Sequence, residues 1–121
     1  MLKHFNISEF DSPDLKGSGK NMDKAFLELL DIAREKAGVP FKITSGYRTK
    51  EWNLKAGGRV GSSHCKGLAA DIYLPNNSRD RFLIINALLG AGINRMGISF
   101  KGTFVHVDID SSKDKNVLWT Y

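Results

Sequence analysis

Three side chains in this sequence have the chemistry of metal ligands: His64 and Asp71, in the segment SSHCKGLAAD (residues 62–71), and His106, in FVHVDID (residues 104–110). His64 and Asp71 are seven positions apart with Gly67 between them, a spacing that lets a loop histidine and a strand aspartate converge. Alone, such a pair is incidental in most chains. A third donor changes its meaning, because strand alternation puts His106 and Asp108 on one face with Phe104, opposite Val105, Val107 and Ile109. A polar row of this kind is ordinarily a solvated strand face. Two imidazoles and a carboxylate are also the ligand set of catalytic zinc hydrolases, which keep a fourth position open for water.

Cys65 raises a competing chemistry, with the thiol as nucleophile, His106 as its base and Asp108 orienting the ring. A cysteine nucleophile profits from a helix N-terminus that lowers its pKa. Cys65 instead stands beside Lys66 in a loop that enters a strand, and reads as a small, partly buried residue.

The elements that must position these groups can be read from periodicity. Residues 1–21 form a short arm with Phe5, Ile7 and Phe10, followed by a turn-rich loop. Phe26, Leu30, Ala33 and Ala37 recur at helical spacing, so residues 22–37 are an amphipathic helix, capped by Asn21 or Asp23 and ended by Gly38-Val39-Pro40. Residues 41–44 alternate as a half-buried strand, Thr49 caps a short helix through Lys55, and AGGRVGSS loops to His64. Residues 68–74 form a strand that stops at Pro75. Ser78 caps a second long helix, residues 79–89, whose apolar run FLIINALL predicts burial on most sides. Strands at residues 95–99 and 104–109 follow, separated by Lys101-Gly102, and Trp119 with Tyr121 packs the C-terminus onto the sheet. The fold class is therefore α+β, a small antiparallel sheet flanked by helices.

Length and composition bound the rest. The 121 residues, 41% of them hydrophobic and 26% charged, suit one domain spanning 1–121, expected to be monomeric. The net charge of +5 favours polyanions, but no dense basic run or aromatic-interleaved stripe argues for nucleic acid. The single cysteine excludes an internal disulfide, and no apolar stretch is long enough for membrane insertion. MLKHFNISEF has no apolar signal core, so the expectation is synthesis in the cytoplasm without a signal peptide.

ITSGYRT, GGRVGSSHCKGLAAD and FVHVD, in that order, resemble the successive motifs of the zinc D-Ala-D-Ala carboxypeptidase and phage endolysin family, whose fold is shared with the hedgehog signalling domain. The resemblance runs from about Phe5 to Trp119, and Ser62, His64, Asp71 and His106 fit its S-x-H-x(6)-D pattern and later strand histidine. It implies a hedgehog/DD-peptidase-like fold and one Zn2+ per chain held by His64, Asp71 and His106. It also implies Arg48 beside the scissile carbonyl, and Ser62 with Tyr47 of SGYR at the substrate. The implied activity is hydrolysis of peptide bonds in peptidoglycan stems, as a carboxypeptidase or an endolysin-type endopeptidase. The implied setting is phage or prophage lysis, acting on the cell wall after release or carried with the virion.

One departure stands out. Members of that family commonly carry an acid a few residues before the last zinc histidine, to take the proton from the activated water. Here no acid lies between Asp80 and Asp108. By elimination Asp108 is assigned as the base, with an orienting carboxylate for His106 as its alternative role. The same departure supports a second reading, a zinc-stabilised, non-catalytic cell-wall binding module. The Cys65-based hydrolase is a third.

Overall fold

The computed structural model describes residues 2–121; Met1, the first residue of the N-terminal arm, lies outside the described residues. Helix α1 (Lys24–Ala37) begins at Asp23, whose carboxylate accepts the Phe26 N–H at 2.9 Å, and ends on Gly38 at φ 69°. Of the two caps the sequence allows, Asp23 is the one used. Met22 precedes the helix and is buried with it. Phe26, Leu27, Leu30, Ala33 and Ala37 form its buried stripe.

Strand β1 (Ile43–Ser45) starts two residues later than the alternation predicts, because Phe41 turns into the core ahead of it. Thr49 caps α2 (Lys50–Lys55) through the Trp52 N–H. A 3-10 turn (Ser63–Lys66) leads into β2 (Ala69–Tyr73). Helix α3 (Ser78–Gly90) is capped by Asn77 rather than Ser78: the Asn77 side chain accepts the Asp80 N–H at 3.0 Å, so Ser78 is already helical. The predicted deep burial of α3 is not found. Only Ile84, Ala87 and Leu88 are buried, while Phe82 is 66% and Leu89 57% exposed, because α3 packs on α1 and the sheet along a single stripe.

Strands β3 (Arg95–Ile98), β4 (Phe104–Asp108) and β5 (Val117–Thr120) complete one sheet of order β1-β2-β4-β3-β5. The first four strands pair antiparallel, and β5 pairs parallel to β3, so the sheet is mixed. The C-terminal segment that sequence placed merely against the sheet is a strand within it. Ala70, Ile72, Met96, Val105 and Val107 join α1 and α3 in one apolar cluster on one face.

Register fixes the other face. Ser45 pairs Asp71, Asp71 pairs His106, His106 pairs Gly97, and Gly97 pairs Trp119, a single row across all five strands. Gly97 is required in that row, since a Cβ there would meet Trp119 Cε2 at 2.4 Å. The missing side chain lets the indole lie across β3 toward His106, with ring centroids 5.7 Å apart. Gly97→Ala is expected to cost about 1–3 kcal/mol by overpacking. Thermal unfolding would give that loss, and a red-shifted tryptophan emission would report the indole leaving its seat.

Candidate metal centre and cleft

His64 is placed by its 3-10 turn. The Ser62 hydroxyl caps the turn by accepting the His64 N–H at 3.2 Å, and Gly67 closes it at φ 72°, where a Cβ would lie 2.2 Å from the Asn21 carbonyl oxygen. Both the sign of φ and the close approach demand glycine. The turn brings the ring under the end of β1, where His64 Nδ1–H donates to the Gly46 carbonyl at 2.8 Å. The remaining nitrogen, Nε2, then faces Asp71 Oδ1 at 3.3 Å.

His106 is oriented in the same manner by a different acceptor. Its Nε2–H donates to Asp108 Oδ2 at 2.8 Å, which turns Nδ1 toward Asp71 Oδ1 at 3.0 Å. Donor atoms of His64, Asp71 and His106 all lie within 4.8 Å of one another. With each ring's N–H directed outward, three lone-pair-bearing atoms converge on one point. Such a cluster is repulsive unless a cation or shared protons sit among the three groups, and two imidazoles with one carboxylate suit a divalent ion of zinc's character.

The electrostatics agree. With shared protons in place of an ion, burial works against charge on Asp71, yet the hydrogen bonds from His106 and His64 outweigh it and hold the carboxyl far below the usual carboxylate range. Burial also favours a neutral His106, but its bonds to Asp108 and Asp71 prevail and raise its pKa. A metal entering here competes with protons for the same lone pairs.

These groups line a cleft of about 670 Å3 together with Arg48, Ser62, Lys113, Trp119 and Tyr121. Arg48 is held on three sides: Nε donates to Ser45 Oγ at 3.0 Å, Nη1 to Asn53 Oδ1 at 3.2 Å, and Nη2 to Asp71 Oδ2 at 3.4 Å. Among the described residues its remaining N–H donors meet no acceptor, and Arg48 lines the cleft. Tyr47 does not. It packs against the apolar cluster, and its backbone N–H donates to the Phe10 carbonyl at 2.8 Å, so it falls outside the substrate surface that the SGYR resemblance implies.

Asp108 is 1% exposed and does not line the cleft. One carboxylate oxygen accepts from His106 Nε2; the other accepts from Arg95 Nε at 2.7 Å and from the Asp110 N–H at 3.1 Å. Strand alternation put Asp108 on the face of His106, but register sets it behind the ring, opposite Arg95 and Ala69. That geometry turns both Asp108 oxygens away from the cleft and favours its alternative role, the carboxylate that orients His106, over that of general base. Among the described residues lining the cleft, Asp71 has the one side-chain carboxylate.

Cys65 lies outside the cleft lining, with Sγ 4.0 Å from the Thr49 carbonyl, and burial pushes its thiol pKa up. A nucleophilic thiolate needs the opposite shift. Sequence reasoning gave no role to Arg95, Asn53 or the buried Asp110. It mentioned Trp119 and Tyr121 only as packing, although both line the cleft. The strand-forming run VLWT after a turn-rich segment was the available signal for β5.

A family model described as Peptidase M15 matches residues 3–108, a span containing His64, Asp71 and His106 and nearly the whole fold. No curated protein matches the chain. Among the described residues no helix is long and apolar enough to cross a membrane.

Proposed function

Because the chain belongs to the peptidase M15 family, we propose that it is a zinc-dependent hydrolase of peptide bonds in peptidoglycan stem peptides, used in cell-wall lysis as its endolysin resemblance implies. The observation that carries this reading is the convergence of His64 Nε2, His106 Nδ1 and Asp71 Oδ1 at the floor of an open cleft. Those three atoms would hold the ion. When bound, zinc supplies Lewis acidity, activating a water and polarising the scissile carbonyl.

The remaining work falls to the chain's own groups. Arg48, braced by Ser45 and Asn53, turns its unengaged N–H donors to the oxygen that gains charge as the carbonyl is attacked. Asp108, braced by Arg95, keeps the N–H of His106 on Nε2 and so leaves Nδ1 as the ligand atom. Ser62 sets the turn that carries His64 and edges the substrate surface. The basic charge of +5 supports adherence to anionic wall polymers.

One observation favours the second reading, a zinc-holding module that binds stem peptides without cutting them: among the described residues, the cleft lining has no side-chain carboxylate besides Asp71. Purified protein incubated with muropeptides separates the two. Release of D-Ala or of cleaved stems, lost in chelator and restored by zinc, is the expected result. Zinc near one per chain with no turnover supports the module. Cys65→Ala is expected to keep full activity, and its loss would revive the thiol mechanism.

A further inference from the structure

Asp110 is 3% exposed and anchors a small polar cluster beside the cleft. Its Oδ2 accepts from Ser63 Oγ at 2.7 Å and pairs with Lys66 Nζ at 3.0 Å, while Oδ1 accepts from Ser112. One carboxylate is thus matched by one lysine. Lys113 is a second cation in the same cluster, with Nζ 2.8 Å from Ser63 Oγ and 3.8 Å from Asp110 Oδ2, and it lines the cleft. Ser63 directly precedes His64, so the surplus charge is held one residue from the metal cluster.

Arg48 and Arg59 also line the cleft, and no carboxylate among the described residues lies within 4 Å of Arg59. Trp119 and Tyr121 add an aromatic wall. A cleft of this make-up attracts a ligand that is anionic at one point and apolar beside it. Arg48 is already engaged with Asp71 and Arg59 is exposed on a glycine-rich loop, whereas Lys113 is braced by two buried groups.

We infer that Lys113 is a specificity-determining residue that binds a substrate carboxylate close to the scissile bond, with Trp119 and Tyr121 receiving the adjoining apolar part. The inference rests on the cleft being the peptide site proposed above. The carboxylate is either the chain terminus just beyond the cleaved bond or a side-branch carboxylate on the residue before it, and both present the same chemistry to the ammonium group.

The test is calorimetric binding to the zinc-loaded full chain, using peptides whose scissile amide is replaced by a methylene-amine. One pair carries a terminal carboxylate or its carboxamide; a second pair carries a side-branch carboxylate or its carboxamide. The wild type is expected to favour the acid by about 10- to 100-fold in one pair, which identifies the source. Lys113→Gln should remove that preference with zinc content unchanged, and Lys113→Arg should keep most of it. Equal affinity for acid and amide in both pairs, or a preference that survives in Lys113→Gln, overturns the inference. If Lys113→Gln does not fold, the wild-type ratio at low and high salt decides, and a ratio insensitive to salt overturns it. Absence of turnover on the natural amides, with the preference intact, would sink the hydrolase reading and leave Lys113 as the carboxylate site of a binding module.

Discussion

Replacing His64 with alanine is expected to abolish stoichiometric zinc binding and peptide hydrolysis together. The ring is 3% exposed and its outward nitrogen is fixed on the Gly46 carbonyl, and among the described residues the ligand cluster holds only Asp71 and His106 besides it. Two ligands remain, and a catalytic zinc site needs three from the protein. Loss of the Lewis acid forfeits several kcal/mol of transition-state stabilisation, and about 4 kcal/mol corresponds to a thousandfold in rate. Metal analysis after dialysis and turnover on muropeptides check the two halves of the statement. Zinc retained near one per chain would show that His64 is not a ligand. Thermal stability should fall as well, since an ion bound only by the folded chain stabilises it through mass action, and zinc should raise the melting temperature of the wild type but not of the variant.

Asp108→Asn is expected to act through stability and metal affinity rather than through the chemical step alone. The carboxylate is buried between Arg95 Nε and His106 Nε2, so the neutral amide leaves the arginine, 11% exposed, without its counter-charge. Breaking such a pair costs about 3–5 kcal/mol when fully buried and less where water still reaches one partner. The amide can also present an N–H to His106 Nε2, favouring the wrong tautomer, and loss of this kind of support weakens metal binding about 10- to 100-fold. Raising zinc should therefore recover much of the activity. A variant with normal stability, full zinc and no turnover would restore Asp108 as the base. Burial disfavours the charge, but the bonds from His106, Asp110 and Arg95 prevail and lower the pKa of Asp108. A carboxyl lowered on folding stabilises the protein above its unfolded pKa of about 3.9 and loses that contribution as pH falls through the folded value. Acid unfolding of the wild type should accordingly be steeper below about pH 4 than that of Asp108→Asn.

Much of the fold was legible because local rules and tertiary packing agree in this chain. The α1 stripe, its Gly38 stop, the Thr49 cap and the alternation of residues 104–108 each follow from spacing and cap chemistry within a few residues. Helix α3 misled for a physical reason: FLIINALL is apolar on all sides, but the helix meets its neighbours along one stripe and leaves Phe82 and Leu89 in solvent. VLWT carries a local strand signal for β5, but its place in the sheet is set by β3, a parallel neighbour about twenty positions earlier whose identity no local pattern encodes.

By itself the sequence determined which residue types could act and roughly where they lie: a histidine on a glycine-closed turn, an aspartate on one strand and a histidine on another. It could place Asp108 on the same face as His106, because side chains in a strand alternate with period two. Only the tertiary structure decided what that face meets. The register of β2, β4, β3 and β5 sets Asp71 beside His106 and Trp119 over Gly97, and in the next row it closes Asp108 against Arg95. Whether a carboxylate meets water or an arginine depends on partners brought in from distant segments, and those partners are fixed by inter-strand hydrogen bonds rather than by neighbours in the chain.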